Sequence, residues 1–193
     1  MHKDFYIFRH GETDYNLQQR WQGQGINIDL NENGIAQAEV LAKRLEDKNI
    51  EIFYSSPLKR ALQTAQIVAQ KGKVPVKTLS DLQEGSVGVC EGMKRDDVAK
   101  KYPEIWDIWC SANEIMDIRW PEGESKLEVQ QRMVKAFDMM LKTKEKVIGV
   151  ASHGASIRYF LRLFGYTSRR MDNAALFHLI YEDGNWTLIN ESL

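Results

Sequence analysis

The sequence predicts an α/β fold, a three-layer α/β/α sandwich around a mostly parallel sheet, and three observations lead to it. Short continuous apolar runs alternate with longer segments whose apolar residues recur at helical spacing. The first run, Phe5 to Phe8, shows no polar alternation, as expected of a parallel-sheet strand covered on both faces. Two of the runs, in FYIFRHG (5–11) and VIGVASHG (147–154), end in His-Gly.

The elements follow in order. After the first strand and a polar loop, Ile35, Ala38, Leu41, Ala42 and Leu45 mark the inward face of a helix that Asn31 caps and that ends near Glu46. Ile50 to Tyr54 is a second strand. Ser56 is then expected as the N-cap of the next helix, with Pro57 at its first position, where a missing N–H does no harm. Leu58, Ala61, Leu62, Ala65 and Ala69 form that helix's buried face, and a short strand follows at Val76 to Leu79.

Residues 93–124 break the rhythm. They are charged, form only short helical stretches and carry Trp106, Trp109 and Trp120, so they are expected as a small helical lid over one end of the sheet. SKLE at 125–128 is a capping box opening a long helix that buries Val129, Met133, Ala136, Phe137 and Met140. Val147 to Ala151 is the next strand. Its helix starts near Gly154 and buries Ile157, Phe160, Leu161 and Phe164, and ALFHLIY and WTLIN close the chain as a hairpin about Asp183-Gly184. Residues 1–193 are therefore expected as one domain, with the lid inserted in it.

Composition narrows the function classes. The 26 Lys and Arg nearly balance the 27 Asp and Glu, which argues against a nucleic-acid or membrane partner and makes any anion site local. No run approaches the roughly 18 apolar residues of a membrane span, and the N-terminus lacks a signal-peptide pattern, so the cytoplasm is the expected location. Cys90 and Cys110 have no redox or metal spacing, and no two His or Cys share a ligand spacing, so neither a metal nor another cofactor is expected.

In open α/β sheets ligands bind beyond the carboxyl ends of strands, where helix N-termini also point. That edge collects Arg9, His10, Arg60 and His153. A lone histidine is usually structural, but two arginines, two histidines and helix N-termini together make a phosphate pocket, because the planar guanidinium donates two parallel hydrogen bonds. Neighbouring positive charge keeps His10 neutral, and a neutral ring nitrogen is a nucleophile. Glu84 also follows a strand and is the candidate proton donor.

These segments resemble the histidine phosphatase superfamily, the phosphoglycerate mutase-like group, over nearly the whole chain. RHGETDYN resembles the signature that opens the site, SSPLKRALQTA the segment with the second arginine and SHGASIR the segment with the second histidine. The resemblance implies His10 as nucleophile, Glu84 as proton donor, Arg9, Arg60 and His153 as catalytic partners, and Asn16, Gln22, Gly23 and Gly154 at the substrate. Cys90 and Tyr15 stand where the family often has Trp, and Ser86 where it is commonly acidic, which bears on the pocket wall. The expected function is metal-independent hydrolysis of a small phosphorylated metabolite through phosphohistidine. Mutase-type phosphoryl transfer and a non-catalytic phosphate-binding module remain the alternatives.

Overall fold

In the computed structural model, which describes residues 1–111 and 115–190, six strands form one sheet: β1 (His2–Arg9), β2 (Ile52–Ser55), β3 (Val76–Thr78), β4 (Val147–Ser152), β5 (Leu176–Glu182) and β6 (Asn185–Asn190). Their order is β3-β2-β4-β1-β5-β6, with β3, β2, β4 and β1 parallel and the closing hairpin antiparallel. The expected largely parallel sheet is thus a mixed one, its antiparallel part confined to the hairpin that Asp183-Gly184 turns.

Helices cover both faces among the described residues: α1 (Asp14–Leu17), α2 (Glu32–Leu45), α3 (Lys59–Gln70), α4 (Arg95–Lys101), α5 (Pro103–Cys110), α6 (Lys126–Leu141) and α7 (Gly154–Leu161). One face of the sheet buries Phe5, Ile7 and Val150 with Met133, Phe137 and Phe160 of α6 and α7. The other buries Tyr6, Phe8 and Phe53 with Leu41, Ala65 and Val68 of α2 and α3. Alternate residues of β1 serve opposite faces, which is why its apolar run is unbroken.

Local signals placed most boundaries. Asn31 caps α2 through Oδ1, which accepts from Gly34 N–H at 2.8 Å, and Ser125 and Glu128 close the expected capping box on α6. Two expectations need correction. Helix α3 begins at Lys59 with Leu58 at the N-cap, so Pro57 precedes the helix and Ser56 does not cap it; the Ser56 hydroxyl is bonded instead to His153. Ile35 was expected inside but is 44% exposed, because Gly34, Ala38, Leu41 and Leu45 form the buried face of α2.

Helices α4 and α5 form the lid, and residues 112–114 of that insertion lie outside the described residues. Trp120 is fully buried, with Trp21 and Trp109 ring centroids at 5.0 and 5.2 Å and Tyr102 at 6.2 Å, so the lid has its own aromatic core.

Candidate active site

Strands β1 and β4 are parallel neighbours with Arg9 opposite Ser152, and both chains run on into His-Gly at the same edge. The rings of His10 and His153 consequently lie 5.2 Å apart at 59°. Both are buried, as is Arg60 in the first turn of α3. Gly11 is required here by close approach: a Cβ on it would stand 2.3 Å from the Gly34 carbonyl oxygen. The turn is held by Thr64, whose hydroxyl accepts from Gly11 N–H at 3.0 Å and donates to the Arg60 carbonyl at 2.7 Å.

His10 has a defined tautomer. Its Nδ1 lies 2.7 Å from the Gly11 carbonyl oxygen, which can only accept, so Nδ1 carries the hydrogen and Nε2 keeps its lone pair. Burial, then Arg60 and Arg9, lowers its affinity for a second proton well below the ordinary histidine range. His153 is lowered by burial and by Arg60 as well, and its Nε2 lies 2.8 Å from the Ser56 hydroxyl. Desolvation likewise lowers Arg9 and Arg60, each to about 10, which leaves both charged near neutral pH.

The arginines are anchored by one part of the guanidinium. Arg9 donates through Nη1 to the Met171 carbonyl, while Arg60 donates to the carbonyls of Ile26 at 2.7 Å and Gly23 at 3.2 Å. Nε of Arg9, Nε of Arg60 and Nδ1 of His153 are buried with no hydrogen-bond partner among the described residues. An unmet buried donor costs about 1–3 kcal/mol, more when charged. A tetrahedral oxyanion supplies the acceptors that such a group of nitrogens lacks.

Glu84 meets the N-terminus of α7. Its carboxylate accepts from Ala155 N–H at 3.2 Å, Ser156 N–H at 3.1 Å, the Ser156 hydroxyl at 3.0 Å and Gly85 N–H at 2.9 Å. With Arg9, Asn16, Gln22 and Gly154 it lines a cleft of about 1260 Å³ between the sheet edge and the lid. Asn16 Oδ1 accepts from Thr13 N–H at 3.1 Å and from Asn173 Nδ2 at 3.2 Å, and Asn173 Nδ2 also donates to the His10 carbonyl at 3.1 Å. Gln22 is joined to this group through the Thr13 hydroxyl, 3.0 Å from its Oε1. Gly23 is placed differently: it is buried behind Arg60, and a Cβ there would meet Glu91 Oε1 at 2.2 Å.

Sequence reasoning missed Ser56 as a partner of His153, Asn173 as a link between His10 and Asn16, and the pair of Arg132 and Glu124 behind Glu84. Ser56 drew notice only for capping. Asn173 lies 15 residues beyond SHGASIR and Arg132 20 before it, and no local signal in the sequence ties either, or Glu124, to these partners. Among the described residues no group of three or more His, Cys, Asp or Glu is arranged to hold a metal, and no helix is long and apolar enough to cross a membrane.

Comparison with known proteins agrees with this geometry. The family model of the histidine phosphatase superfamily (branch 1) matches residues 5–191. A Bacillus subtilis protein named uncharacterized phosphatase PhoE is 30% identical over 188 residues, spanning 94% of this chain and 90% of its own. The metal-independent phosphoserine phosphatase of Arabidopsis thaliana is 35% identical over 189 residues, 94% of this chain and 78% of its own. The solved structure of Bacillus stearothermophilus YhfR superposes with a TM-score of 0.89 at 26% identity, covering 98% of this chain and 96% of that one. With the motifs, the sheet edge that gathers them and these likenesses in accord, the chain belongs to branch 1 of the histidine phosphatase superfamily.

Proposed function

We propose that residues 1–193 act as one domain that hydrolyses small phosphomonoesters without a metal, through a phosphohistidine on His10. The observation that carries this reading is the 2.7 Å contact from His10 Nδ1 to the Gly11 carbonyl, which leaves Nε2 as a neutral nucleophile. In the first step Nε2 bonds to phosphorus as the ester P–O bond breaks, and a protonated Glu84 gives its proton to the departing oxygen. Arg9, Arg60 and His153 stabilise charge on the three equatorial oxygens. In the second step water attacks phosphorus, Glu84 takes the proton back, and inorganic phosphate leaves with the electron pair of the P–N bond returned to Nε2.

Hydrolysis is favoured over transfer to a second alcohol by the relatives named phosphatases, and metal independence by the name of the Arabidopsis relative. Cys90 and Cys110 are both free, which fits a cytoplasmic setting. The test is acid and base treatment of enzyme quenched during turnover of an alkyl phosphate, with phosphate release measured beside it. An acid-labile, base-stable phosphoenzyme should form in the wild type and be absent from His10→Ala. An equally abundant phosphoenzyme in the variant would remove His10 as the nucleophile.

A further inference from the structure

Two buried, neutral imidazoles share the sheet edge, and their partners turn them in opposite senses. In His10 the partner is a carbonyl, which holds the hydrogen on Nδ1 and leaves the Nε2 lone pair for the site. In His153 the partner is a hydroxyl, which can donate or accept. Its tautomer follows only from an account of every hydrogen around the ring.

Ser56 stands just past the end of β2, where Ser55 pairs with Ala151 and Ser56 N–H donates to the Ala151 carbonyl at 3.0 Å, so the sheet itself sets the hydroxyl beside His153. One lone pair of Ser56 Oγ accepts from Leu58 N–H at 3.2 Å. Among the described residues its hydrogen has one acceptor, His153 Nε2 at 2.8 Å. A hydrogen placed on Nε2 would leave the hydroxyl hydrogen unmet between two fully buried residues. The other end of the ring gives the same answer independently. His153 is the N-cap residue of α7, where a side-chain acceptor ordinarily takes the amides of the first turn, yet its ring makes no such bond. The Ala155 and Ser156 N–H groups go to Glu84 instead, at 3.2 and 3.1 Å. No helix amide is left for a lone pair on Nδ1, and Nδ1 is buried with no partner among the described residues.

We infer that Ser56 is a positioning residue: its hydroxyl donates to His153 Nε2 and so fixes the hydrogen on Nδ1, which makes His153 a hydrogen-bond donor to the phosphoryl oxygens. The inference takes its purpose from the phosphatase reading and its geometry from Ser56, His153 and Glu84. The two rings, 5.2 Å apart, are then the same tautomer in opposite orientation, one presenting a lone pair to the site and the other a hydrogen. The reverse tautomer of His153 would aim a lone pair at an anion. Protonation does not supply the hydrogen near neutral pH, because burial, then Arg60, His10, Arg132 and Arg9, lowers the proton affinity of His153 well below the ordinary range.

The test reads the tautomer directly. Long-range proton–nitrogen NMR of histidine-labelled protein near neutral pH should show His153 Nδ1 among protonated nitrogens and Nε2 among those with a lone pair, the signals being assigned with His153→Gln. Ser56→Ala should move this ring toward a mixture of tautomers and leave His10 protonated on Nδ1. A hydrogen on Nε2 in the wild type, or a His153 tautomer unaltered in Ser56→Ala, overturns the role. Inorganic phosphate should bind the variant roughly two- to tenfold more weakly, and single-turnover phosphorylation of His10 by an alkyl phosphate should slow by a similar factor, which is what one neutral hydrogen bond contributes net. Because the hydroxyl acts through His153, the same substitution in a His153→Gln background should add little, and any loss at Leu58 N–H cancels in the cycle. Fully additive losses would reduce Ser56 to a structural residue and overturn the inference. A tautomer that responds to Ser56→Ala in a protein that cleaves no ester would count against the phosphatase reading and leave the positioning by Ser56 standing.

Discussion

Arg132 and Glu124 form a two-armed ion pair, with Nε to Oε1 at 2.8 Å and Nη2 to Oε2 at 3.0 Å. The pair holds the loop that carries Glu84. Arg132 donates also to the carbonyls of Asp81 at 3.0 Å, Gln83 and Glu84 at 2.9 Å, while Glu124 accepts from Ser86 N–H at 2.9 Å and Gln24 Nε2 at 2.7 Å. Both side chains are largely shielded, so removing one strands the other. Arg132→Ala should destabilise the protein by about 2–3 kcal/mol, less than a fully buried pair because some exposure remains. Arg132→Lys, which keeps the charge and loses the fork, should recover part of this. Urea unfolding measures both, and an Arg132→Ala protein as stable as wild type would deny the pair its bracing role.

Glu84→Gln tests the proton donor. General acid catalysis contributes about 10²–10⁴-fold when the leaving oxygen is basic. Single-turnover phosphorylation by an alkyl or sugar phosphate should slow by something in that range, and by much less with nitrophenyl phosphate, whose phenolate needs little assistance. Equal losses with both esters would leave Glu84 a positioning role at α7.

The two histidines give the pH dependence a sign. Both are buried and lowered well below the ordinary value by burial and by Arg60. The unfolded chain therefore binds more protons as pH falls through about 6.5, and stability drops with it until the folded-state values are reached. The stabilisation is fully present above about pH 6.5. Each group contributes about 1.4 kcal/mol per pH unit in that window. Urea unfolding between about pH 7.5 and 5 should show this loss, and His10→Gln/His153→Gln should flatten it. A double variant with an unaltered slope would place the acid sensitivity elsewhere.

Chelation tests the metal-free mechanism. Excess EDTA should leave phosphate release unchanged, because Arg9 and Arg60, both charged near neutral pH, provide the positive field. A reversible loss restored by a divalent ion is the contrary result.

What the sequence determined by itself was local. The Asn31 cap, the 125–128 capping box, the apolar runs and the closing Asp183-Gly184 turn operate over a few neighbouring residues, so their signals survive in linear order. The His-Gly endings of two strands and the residues beside them were legible for the same reason. Tertiary structure decided the rest. Pairing β1 with β4 across nearly 140 residues brings His10 beside His153 and gives each motif its counterpart. The same packing turns Ser56 from an expected helix cap into a partner of His153, 97 residues away. It also sets Arg132 of α6 against the carbonyls beneath Glu84. Such contacts join groups through space after the sheet has closed, and a hydrogen bond between distant residues imposes no period on the chain that forms it.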